Sequence, residues 1–246
     1  MSSIAISSII LTCVFGGALF GMFLPRLLPR EHLSPQTNDL LKLGTGLVGT
    51  MAALVLGLIL ASAKSSYDTQ QRELTDASAK VLLLDRVLAH YGPESKEARD
   101  VLRATVARVL DRGWSEASRW GLRVQRESLY DKIGELSPRS DEQRLTKSQA
   151  LNIVIDLAGT NFLMLEQEAN SIPRVFLIVL VSWLTVIFIS FGFQAPRNTT
   201  AVATLFICAL SVSTAMFLIL ELSRPFVGVM QISTAPLRSA LVHLGQ

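Results

Sequence analysis

Five ionisable residues lie at the ends of long apolar segments, where a helix would leave a lipid bilayer: Lys64, Asp68, Arg174, Glu221 and Arg224. Charged groups at a bilayer edge are costly unless they pair with each other or reach water. If the apolar segments cross a membrane, all five residues lie on the same side of it. They could then form the mouth or gate of an ion pathway, although snorkelling helix ends and structural ion pairs produce the same pattern.

The residue patterns of common enzymes and cofactor sites are missing from the sequence. The three histidines, His32, His90 and His243, stand apart from one another and from any cysteine at metal-ligand spacing. Lys64-Ser65 ends a segment that superficially resembles a phosphate-binding loop, but no glycine precedes the lysine and no strand precedes the segment. No Gly-x-Ser-x-Gly turn of a serine hydrolase is present. We therefore expect neither enzymatic activity nor a bound cofactor or metal ion.

The composition indicates a membrane protein with a water-exposed part. The mean hydropathy is +0.40 and only 17% of the residues are charged, which is unusual for a soluble domain. Most of the charged residues lie between Lys64 and Glu168, so the rest of the chain is largely apolar. The pI near 9.1 comes from the flanks of the apolar segments and not from a basic surface. We therefore expect no nucleic-acid partner.

Four apolar segments are long enough to cross a bilayer, since a transmembrane helix needs about 20 apolar residues at about 1.5 Å each. The expected spans are residues 3–24, 40–63, 173–193 and 199–220. They divide the chain into a first membrane part (1–63), a soluble part (64–172), a second membrane part (173–220) and a tail (221–246). With four spans, the soluble part and the tail lie on the same side of the membrane.

The second span carries a ridge of small residues at every fourth position. The ridge consists of Gly49, Ala53, Gly57 and Ala61, and it lets another helix backbone come close. The simpler interpretation is that the ridge packs against another helix of the same subunit. The alternative is that it packs between subunits or lies around a pore axis.

Two other spans carry packing signals. Gly17-x-x-x-Gly21 in the first span predicts a close approach to a neighbouring helix. One face of the fourth span is small and polar, and we expect it to pack against other helices through hydrogen bonds, with a water path as the alternative. That face consists of Thr200, Thr204, Cys208, Ser211 and Ala215.

The soluble part is predicted to begin as a continuation of the second span. From Tyr67 to Tyr91 the apolar residues follow a heptad pattern, which requires a partner helix. Gly92-Pro93 then ends this helix and starts the next, since glycine suits the helix end and proline the first helical turn. One rod, part in lipid and part in water, is therefore expected from Leu40 to Tyr91.

Three further soluble helices are expected, at about residues 93–113, 119–136 and 140–172. The last should pack antiparallel against the rod through an apolar seam, which consists of Leu151, Ile155, Ala158, Phe162, Leu165, Ala169 and Ile172. Strand signals are missing throughout. The predicted fold is therefore all-α: four transmembrane helices with a soluble helical bundle inserted between the second and third.

The tail begins with a motif that a disordered segment would not need. Pro225 ends the fourth span after the charged pair Glu221 and Arg224, and Phe226 with Gly228 suggests a buried anchor in a tight turn. We expect this motif to couple the tail to the rest of the protein.

Three blocks of the sequence resemble the bacterial bestrophin-like domain family. They are ASAKSSYD (61–68) after the glycine-rich second span, LLDRVLAHYGPE (83–94), and RPFVG (224–228) after the fourth span. The similarity extends over nearly the whole chain. Bestrophins are pentameric anion channels with four spans, a large cytoplasmic helical insertion and a pore lined by the second span. This chain departs from them in the glycines and alanines of its second span, where bestrophins place bulky apolar residues, and in having no acidic calcium-binding cluster after the fourth.

The resemblance implies a homo-oligomeric ion channel of the bacterial inner membrane, multi-pass, with the bundle and both termini in the cytoplasm. Anion conduction and a pentamer follow from the same analogy. The expected partners are the lipid bilayer, further copies of the chain and inorganic ions. The alternative function is a non-conducting scaffold or sensor whose soluble bundle binds a cytoplasmic partner. A transporter would require a broken helix or an internal repeat with charge at the bilayer midplane, and neither is present.

Overall fold

A computed structural model describes residues 2–27, 35–112, 122–169, 174–226 and 228–245 of the 246-residue chain. The described residues form helices and connecting turns, with no strand among them. Four of the helices are long and apolar enough to cross a membrane. The predicted fold class, all-α with four membrane-length helices, is confirmed.

The described helices follow one another in a simple order. They are α1 (Ser3–Phe23), α2 (Pro35–Tyr91), α3 (Lys96–Arg112), α4 (Leu122–Gly134), α5 (Asp141–Ala169), α6 (Arg174–Gln194), α7 (Thr199–Leu222) and α8 (Ala235–His243). By their contacts, the residues separate into two units. The membrane unit comprises Met1–Ser65 and Ser171–Ser223, and the bundle unit comprises Ser66–Asn170 and Arg224–Gln246.

In the membrane unit, α1 packs against α6 through glycines that leave no space for a side chain. A Cβ atom added at Gly21 would overlap the carbonyl of Ile189, and one added at Gly192 would overlap the carbonyl of Ala18. A Cβ atom added at Gly17 would also lie closer to α6 than ordinary van der Waals contact, at 3.0 Å from Thr185 Cγ2. The close approach predicted from Gly17-x-x-x-Gly21 is therefore confirmed, and α6 contributes a third glycine to it.

α1 also packs against α7, and a hydrogen bond between buried serines joins the two helices. The Ser213 hydroxyl donates to the backbone carbonyl of Ser7 at 2.7 Å. Nearby, the rings of Phe15 and Phe206 meet edge to face with their centroids 5.2 Å apart. A buried hydroxyl in lipid needs such a partner, since no water is available to it.

The polar face predicted on the fourth span is not the face that bonds to α1. Four of its residues are exposed and Ala215 is half-buried. The hydroxyls of Thr204 and Ser211 donate to carbonyls of their own helix, those of Thr200 and Ile207. The hydrogen bond from Ser213 to α1 therefore comes from the side of α7 opposite to the predicted polar face.

α2 is a single 57-residue helix, as the predicted rod requires, and it begins slightly earlier, at Pro35. No proline interrupts it until Pro93. It ends at Gly92, whose φ of +124° is strained for any residue with a side chain. The Gln143 side chain of α5 donates to the backbone carbonyl of Tyr91 at 3.0 Å and caps the helix end.

The bundle unit has one hydrophobic core, to which α2, α3, α4, α5 and α8 all contribute. The predicted heptad pattern of α2 is confirmed, since its apolar residues are the ones buried there. They are Leu74, Ala77, Val81, Leu84, Leu88 and Tyr91, with Tyr67 partly buried beside them. Leu102, Val106 and Val109 of α3 pack against this seam.

α2 and α5 run antiparallel, as predicted. Lys80 pairs with Asp156 at 3.6 Å, whereas His90, further along α2, lies 3.2 Å from Glu142, which precedes Asp156 on α5. These pairs are exposed, so they mark the direction of the helices and add little stability.

The predicted apolar seam of α5 is wrong at Ile155, and the side chains of its members Phe162, Leu165, Ala169 and Ile172 lie outside the part that the structure describes. Ile155 is 54% exposed, and Leu151 and Ala158 are only half-buried. The residues in the core or packed against it are Ala150, Leu151, Ile153, Val154 and Leu157. This set also has helical spacing. The sequence therefore carries two neighbouring apolar faces on α5, and packing against α2 and α4 buries the face of Ala150, Ile153 and Val154.

Candidate functional site

The membrane-spanning part of α2 is the least covered of the four spans. Only 11% of the residues in its most apolar stretch are buried, against 28% to 33% in the other three. Its apolar side chains therefore have partners outside the described part of the subunit, either lipid or another protein chain. This makes the exposed side of α2 the candidate functional surface.

One stripe of that surface consists of large apolar side chains. Its five leucines are between 66% and 73% exposed, and a half-exposed methionine lies among them. The stripe is Leu40, Leu43, Leu47, Met51, Leu54 and Leu58. The spacing of three and four residues is that of a helix-packing seam. We call it the leucine stripe.

A second stripe of the same surface is the small-residue ridge. A Cβ atom added at Gly49 or Gly57 would find no other atom within 4 Å, and Ala53 and Ala61 are exposed. The described part of the subunit therefore places no helix against the ridge at Gly49 or Gly57, and where the ridge packs stays a prediction. The residues of α2 that face the subunit's interior are others, of which Ala52 is buried.

The leucine stripe and the ridge lie on neighbouring sides of the helix. At about 100° of rotation per residue, their centres are about 100° apart around the helix axis. Ala52 lies on the opposite side from the line that separates them. A groove of about 330 Å³ borders this inner side, between α2 and α6, and is lined mainly by Leu40, Leu41, Val48, Val186 and Ile187.

Two of the five predicted boundary charges lie one turn apart on α2. Lys64 is exposed and Asp68 is half-buried. Asp68 continues the line between the leucine stripe and the ridge as α2 leaves the apolar stretch, whereas Lys64 continues the ridge. A shallow surface depression begins at Asp68 and includes Arg72 and Asp76, so charges of both signs follow along this side of the helix.

The other three boundary charges belong to α6 and to the end of α7. Glu221 is 3% exposed in the last turn of α7, whereas Arg224, which follows the helix, is exposed. Arg174 is the first residue of α6, and its side chain lies outside the part that the structure describes. A buried carboxylate at a helix end is costly unless its surroundings compensate its charge. Of these three residues, Glu221 is therefore the one whose charge must be compensated inside the protein.

The tail motif forms a turn on the bundle unit. Pro225 is buried, and its carbonyl accepts a hydrogen bond from the backbone amide of Ile232 at 2.8 Å. Phe226 packs against the hydrophobic core of the bundle. Gly228 has a φ of +127°, which only glycine adopts without strain.

Sequence reasoning missed an ion pair that joins α2 to α3. Arg99 binds Asp85 through two parallel hydrogen bonds, Nε to Oδ1 at 2.8 Å and Nη2 to Oδ2 at 2.9 Å. The Asp85 side chain is 3% exposed and that of Arg99 22%. Both residues lie seven positions from Gly92, one before it and one after it. In an antiparallel helix pair that turns at Gly92, this symmetry places them opposite each other, and it was a usable signal.

The surroundings of Asp85 favour its charged form. Burial by itself raises the pKa of this carboxyl, but the hydrogen bonds from Arg99 and from the backbone amide of Gly245, with the positive charges of Arg99 and Arg86, outweigh burial and lower the pKa. The pKa of Arg99 is raised by its hydrogen bond to Asp85, against the opposing effect of its own burial. The pair is therefore ionised and structural at neutral pH.

Within the described ranges, no three His, Cys, Asp or Glu residues are grouped so that they could hold a metal ion. Cys13 and Cys208 are both unpaired and exposed. The described side chains thus offer packing surfaces and charges at helix ends.

Comparison with known proteins agrees with this layout. The bestrophin-like domain family matches residues 12–237 of the chain. A crystal structure of a mutant bacterial bestrophin homologue from Klebsiella pneumoniae superposes with a TM-score of 0.68 over 96% of this chain and 99% of that one, at 16% sequence identity. No curated protein matches in sequence. The structural likeness shows the fold, and the family match extends over most of the sequence. The chain is thus a multi-pass membrane protein that belongs to the bestrophin-like family.

Proposed function

We propose that this protein is the subunit of a homo-oligomeric ion channel in which α2 lines the axis. The observation that carries the proposal is the uncovered side of α2 in the membrane. A helix that packs poorly in its own subunit, yet carries two ordered stripes of large and small residues, is built to contact something else.

The two stripes of α2 complement each other in size. The leucine stripe offers protruding side chains, and the small-residue ridge offers a shallow groove with open space at Gly49 and Gly57. Packing the stripe of one subunit into the ridge of the next gives a head-to-tail contact, which closes into a ring when the angle between the two surfaces permits it. Such a contact uses each surface once per subunit.

The angle between the stripes suits a small ring. In a ring of four helices, the directions from one helix to its two neighbours differ by about 90°, and in a ring of five they differ by about 108°. The separation of about 100° on α2 lies between these values. Of the two, we propose the pentamer, because bestrophins are pentameric and the chain belongs to the bestrophin-like family.

The axis of such a ring would face the line between the two stripes. Leu43, Thr50 and Ala61 lie on this line in the apolar stretch, Asp68 continues it at the boundary, and Lys64 lies about 50° to one side of it. The Thr50 hydroxyl already bonds to the carbonyl of Gly46 at 2.9 Å, so it can face a narrow path without needing a further partner. Constriction and pore charge would then set ion selectivity.

Three finer features of the proposal come from the bestrophin analogy. The channel conducts anions, it lies in the bacterial inner membrane, and the bundle unit and both termini face the cytoplasm. Lys64, Arg174 and Arg224 would attract anions at the mouth of the pathway, whereas Asp68 and Glu221 oppose them. A measured ratio of chloride to potassium permeability decides between anion and cation conduction.

Reconstitution tests the proposal directly. The purified protein is placed in liposomes, and chloride and potassium fluxes are recorded over a range of pH, salt and voltage. Native mass spectrometry in parallel gives the number of subunits. We expect a ring of about five subunits and a selective flux. A monomer, a closed dimer or tight liposomes under all conditions would contradict the channel.

Cysteine accessibility tests the orientation of α2. In a background with Cys13 and Cys208 replaced by serine, Thr50→Cys is compared with Ala52→Cys, which lies on the buried side of the same helix. A small charged thiol reagent should modify Thr50→Cys and reduce the flux, and should spare Ala52→Cys. If neither position reacts and no flux is found, the stripes form a dry interface, and the scaffold or sensor alternative is the better account.

A further inference from the structure

The segment that follows the tail motif is part of the bundle core. Ile232, Leu237, Ala240 and Leu244 are buried there, and α8 packs against α3. We call residues 232–245 the strap. α8 has nine residues, too few for a helix that is stable alone in water. Its helical structure therefore depends on its contact with the bundle.

The strap is bounded by a hydrogen bond at each end. At its start, the amide of Ile232 donates to the carbonyl of Pro225 at 2.8 Å. At its end, the amide of Gly245 donates to Asp85 Oδ2 at 3.2 Å. Gly245 has a φ of +88°, a backbone conformation that a glycine adopts without strain.

Asp85 thus joins three elements through one buried carboxylate. It projects from α2, binds Arg99 of α3 through both oxygens and accepts the amide of Gly245 from the strap. The bond between α2 and α3 does not require the strap. The hydrogen bond from Gly245 to Asp85 can therefore break while the ion pair between Asp85 and Arg99 stays formed.

We propose that the strap is a detachable element, latched to the bundle by the hydrogen bond from Gly245 to Asp85. The α2 seam holds the bundle together over more than five helical turns, from Tyr67 to Tyr91, whereas the strap is held by one apolar side of a short helix and by Ile232 and Leu244 at its ends. Arg238, Ser239 and Val242 on its other side are exposed. Elements with few buried contacts open locally before the core does.

Release of the strap has a consequence for the proposed channel. The chain runs from α7 through residues 223–231 into the strap, so release of the strap leaves only the turn at Pro225 and Phe226 to hold the end of the fourth span to the bundle. We therefore infer that the strap restrains α7 and that its release changes the flux. This second step rests on the proposed function, whereas the latch itself does not.

Hydrogen exchange of the full-length protein in lipid nanodiscs tests the latch, with two substitutions at one position. Gly245→Pro removes the donating amide and cannot adopt the positive φ. Gly245→Asn keeps the amide, tolerates a positive φ, and its Cβ would make an ordinary contact with Arg103 at 3.6 Å. We expect Gly245→Pro to speed the exchange of α8 amides by about tenfold, the loss of one charge-assisted hydrogen bond. Gly245→Asn should exchange like the unmodified protein.

The exchange pattern also decides whether the strap is separable. Faster exchange in α8 alone, with α2 and α3 still protected, is the expected result. Unchanged exchange in α8 would overturn the latch, and simultaneous loss of protection in α3 would show that the strap is no separate element. Flux measurements complete the test. Equal flux from the two variants would overturn the restraint on α7, and a non-conducting unmodified protein would overturn the channel but leave the exchange result standing.

Discussion

Asp85 and Arg99 face each other across the turn between α2 and α3, and each oxygen of the carboxylate accepts one hydrogen bond from the guanidinium. The geometry is the bidentate one that makes arginine differ from lysine. Removing Arg99 leaves the buried Asp85 carboxylate without a counter-charge, and removing Asp85 leaves a largely buried guanidinium without one. This relationship determines how the bundle unit responds to acid and to substitution.

Acid should destabilise the bundle through Asp85. Its pKa is lower in the folded protein than the ordinary value of 3.8, so its stabilising contribution is fully present above that value. The contribution is lost as the pH falls through the lowered folded-state pKa. Unfolding of the unmodified protein and of Asp85→Asn is compared in one detergent from pH 7 to pH 3. At pH 7 the variant should be less stable by about 2–4 kcal/mol, and this difference should shrink below about pH 4. A constant difference would mean that Asp85 does not titrate in this way.

Replacing Arg99 by lysine should not be conservative. Lysine keeps the charge but can make only one of the two parallel hydrogen bonds, which should cost about 1–2 kcal/mol of stability. Arg86→Lys is the matched control, because Arg86 is exposed on the same helix as Asp85. Chemical denaturation of the two variants gives the comparison. Equal midpoints for both would show that the bidentate geometry contributes nothing.

Gly192→Ala should disrupt the packing of α1 on α6. The added methyl group would overlap the carbonyl of Ala18, and a backbone atom cannot move aside as a side chain can. Overpacking of this kind costs about 1–3 kcal/mol or more. Gly16→Ala is the control, since nothing lies within 4 Å of its added Cβ. The unfolding temperature in detergent should fall for the first variant and stay unchanged for the second; a fall in both would point to a general effect of glycine replacement.

Ser213→Ala should weaken the contact between α1 and α7. It removes the hydrogen bond to the carbonyl of Ser7, for which about 0.5–1.5 kcal/mol is typical between membrane helices. Ser211→Ala removes a hydroxyl that bonds only to its own helix, at the carbonyl of Ile207. Thermal unfolding should therefore separate the two variants. If Ser211→Ala is the more damaging change, the exposed polar face of α7 has a partner in another subunit.

Gly57→Leu should impair the assembly of subunits, whereas Ala52→Leu should lower the stability of the subunit. Gly57 faces open space in the subunit, so a leucine there leaves the subunit's stability unchanged but fills the groove that a neighbouring leucine stripe would occupy. Ala52 is buried, so a leucine there should destabilise the subunit by about 1–3 kcal/mol. Native mass spectrometry and thermal unfolding read out the two effects. A Gly57→Leu protein that assembles normally would remove the ridge from the interface.

The sequence by itself determined the elements and most of their inner faces. Four spans followed from length and apolar composition, the end of α2 from Gly92-Pro93, and the core face of α2 from its heptad pattern, because these signals are local and each is strong alone. The close packing around Gly21 was also readable, since glycines four residues apart in an apolar helix have few other uses.

Only the tertiary structure decided which surfaces meet. The ridge of α2 and the polar face of α7 both carry packing residues, and a sequence pattern cannot say whether the partner lies in the same subunit. Two neighbouring faces of α5 had helical spacing, and contact with α2 and α4 selected one. The bond between Asp85 and Gly245 joins residues far apart in the chain, and no local pattern foretells a backbone amide brought there by a folded tail. Short-range periodicity determines the type and length of a helix. Competition among similar helix faces for burial determines which face packs and against which partner.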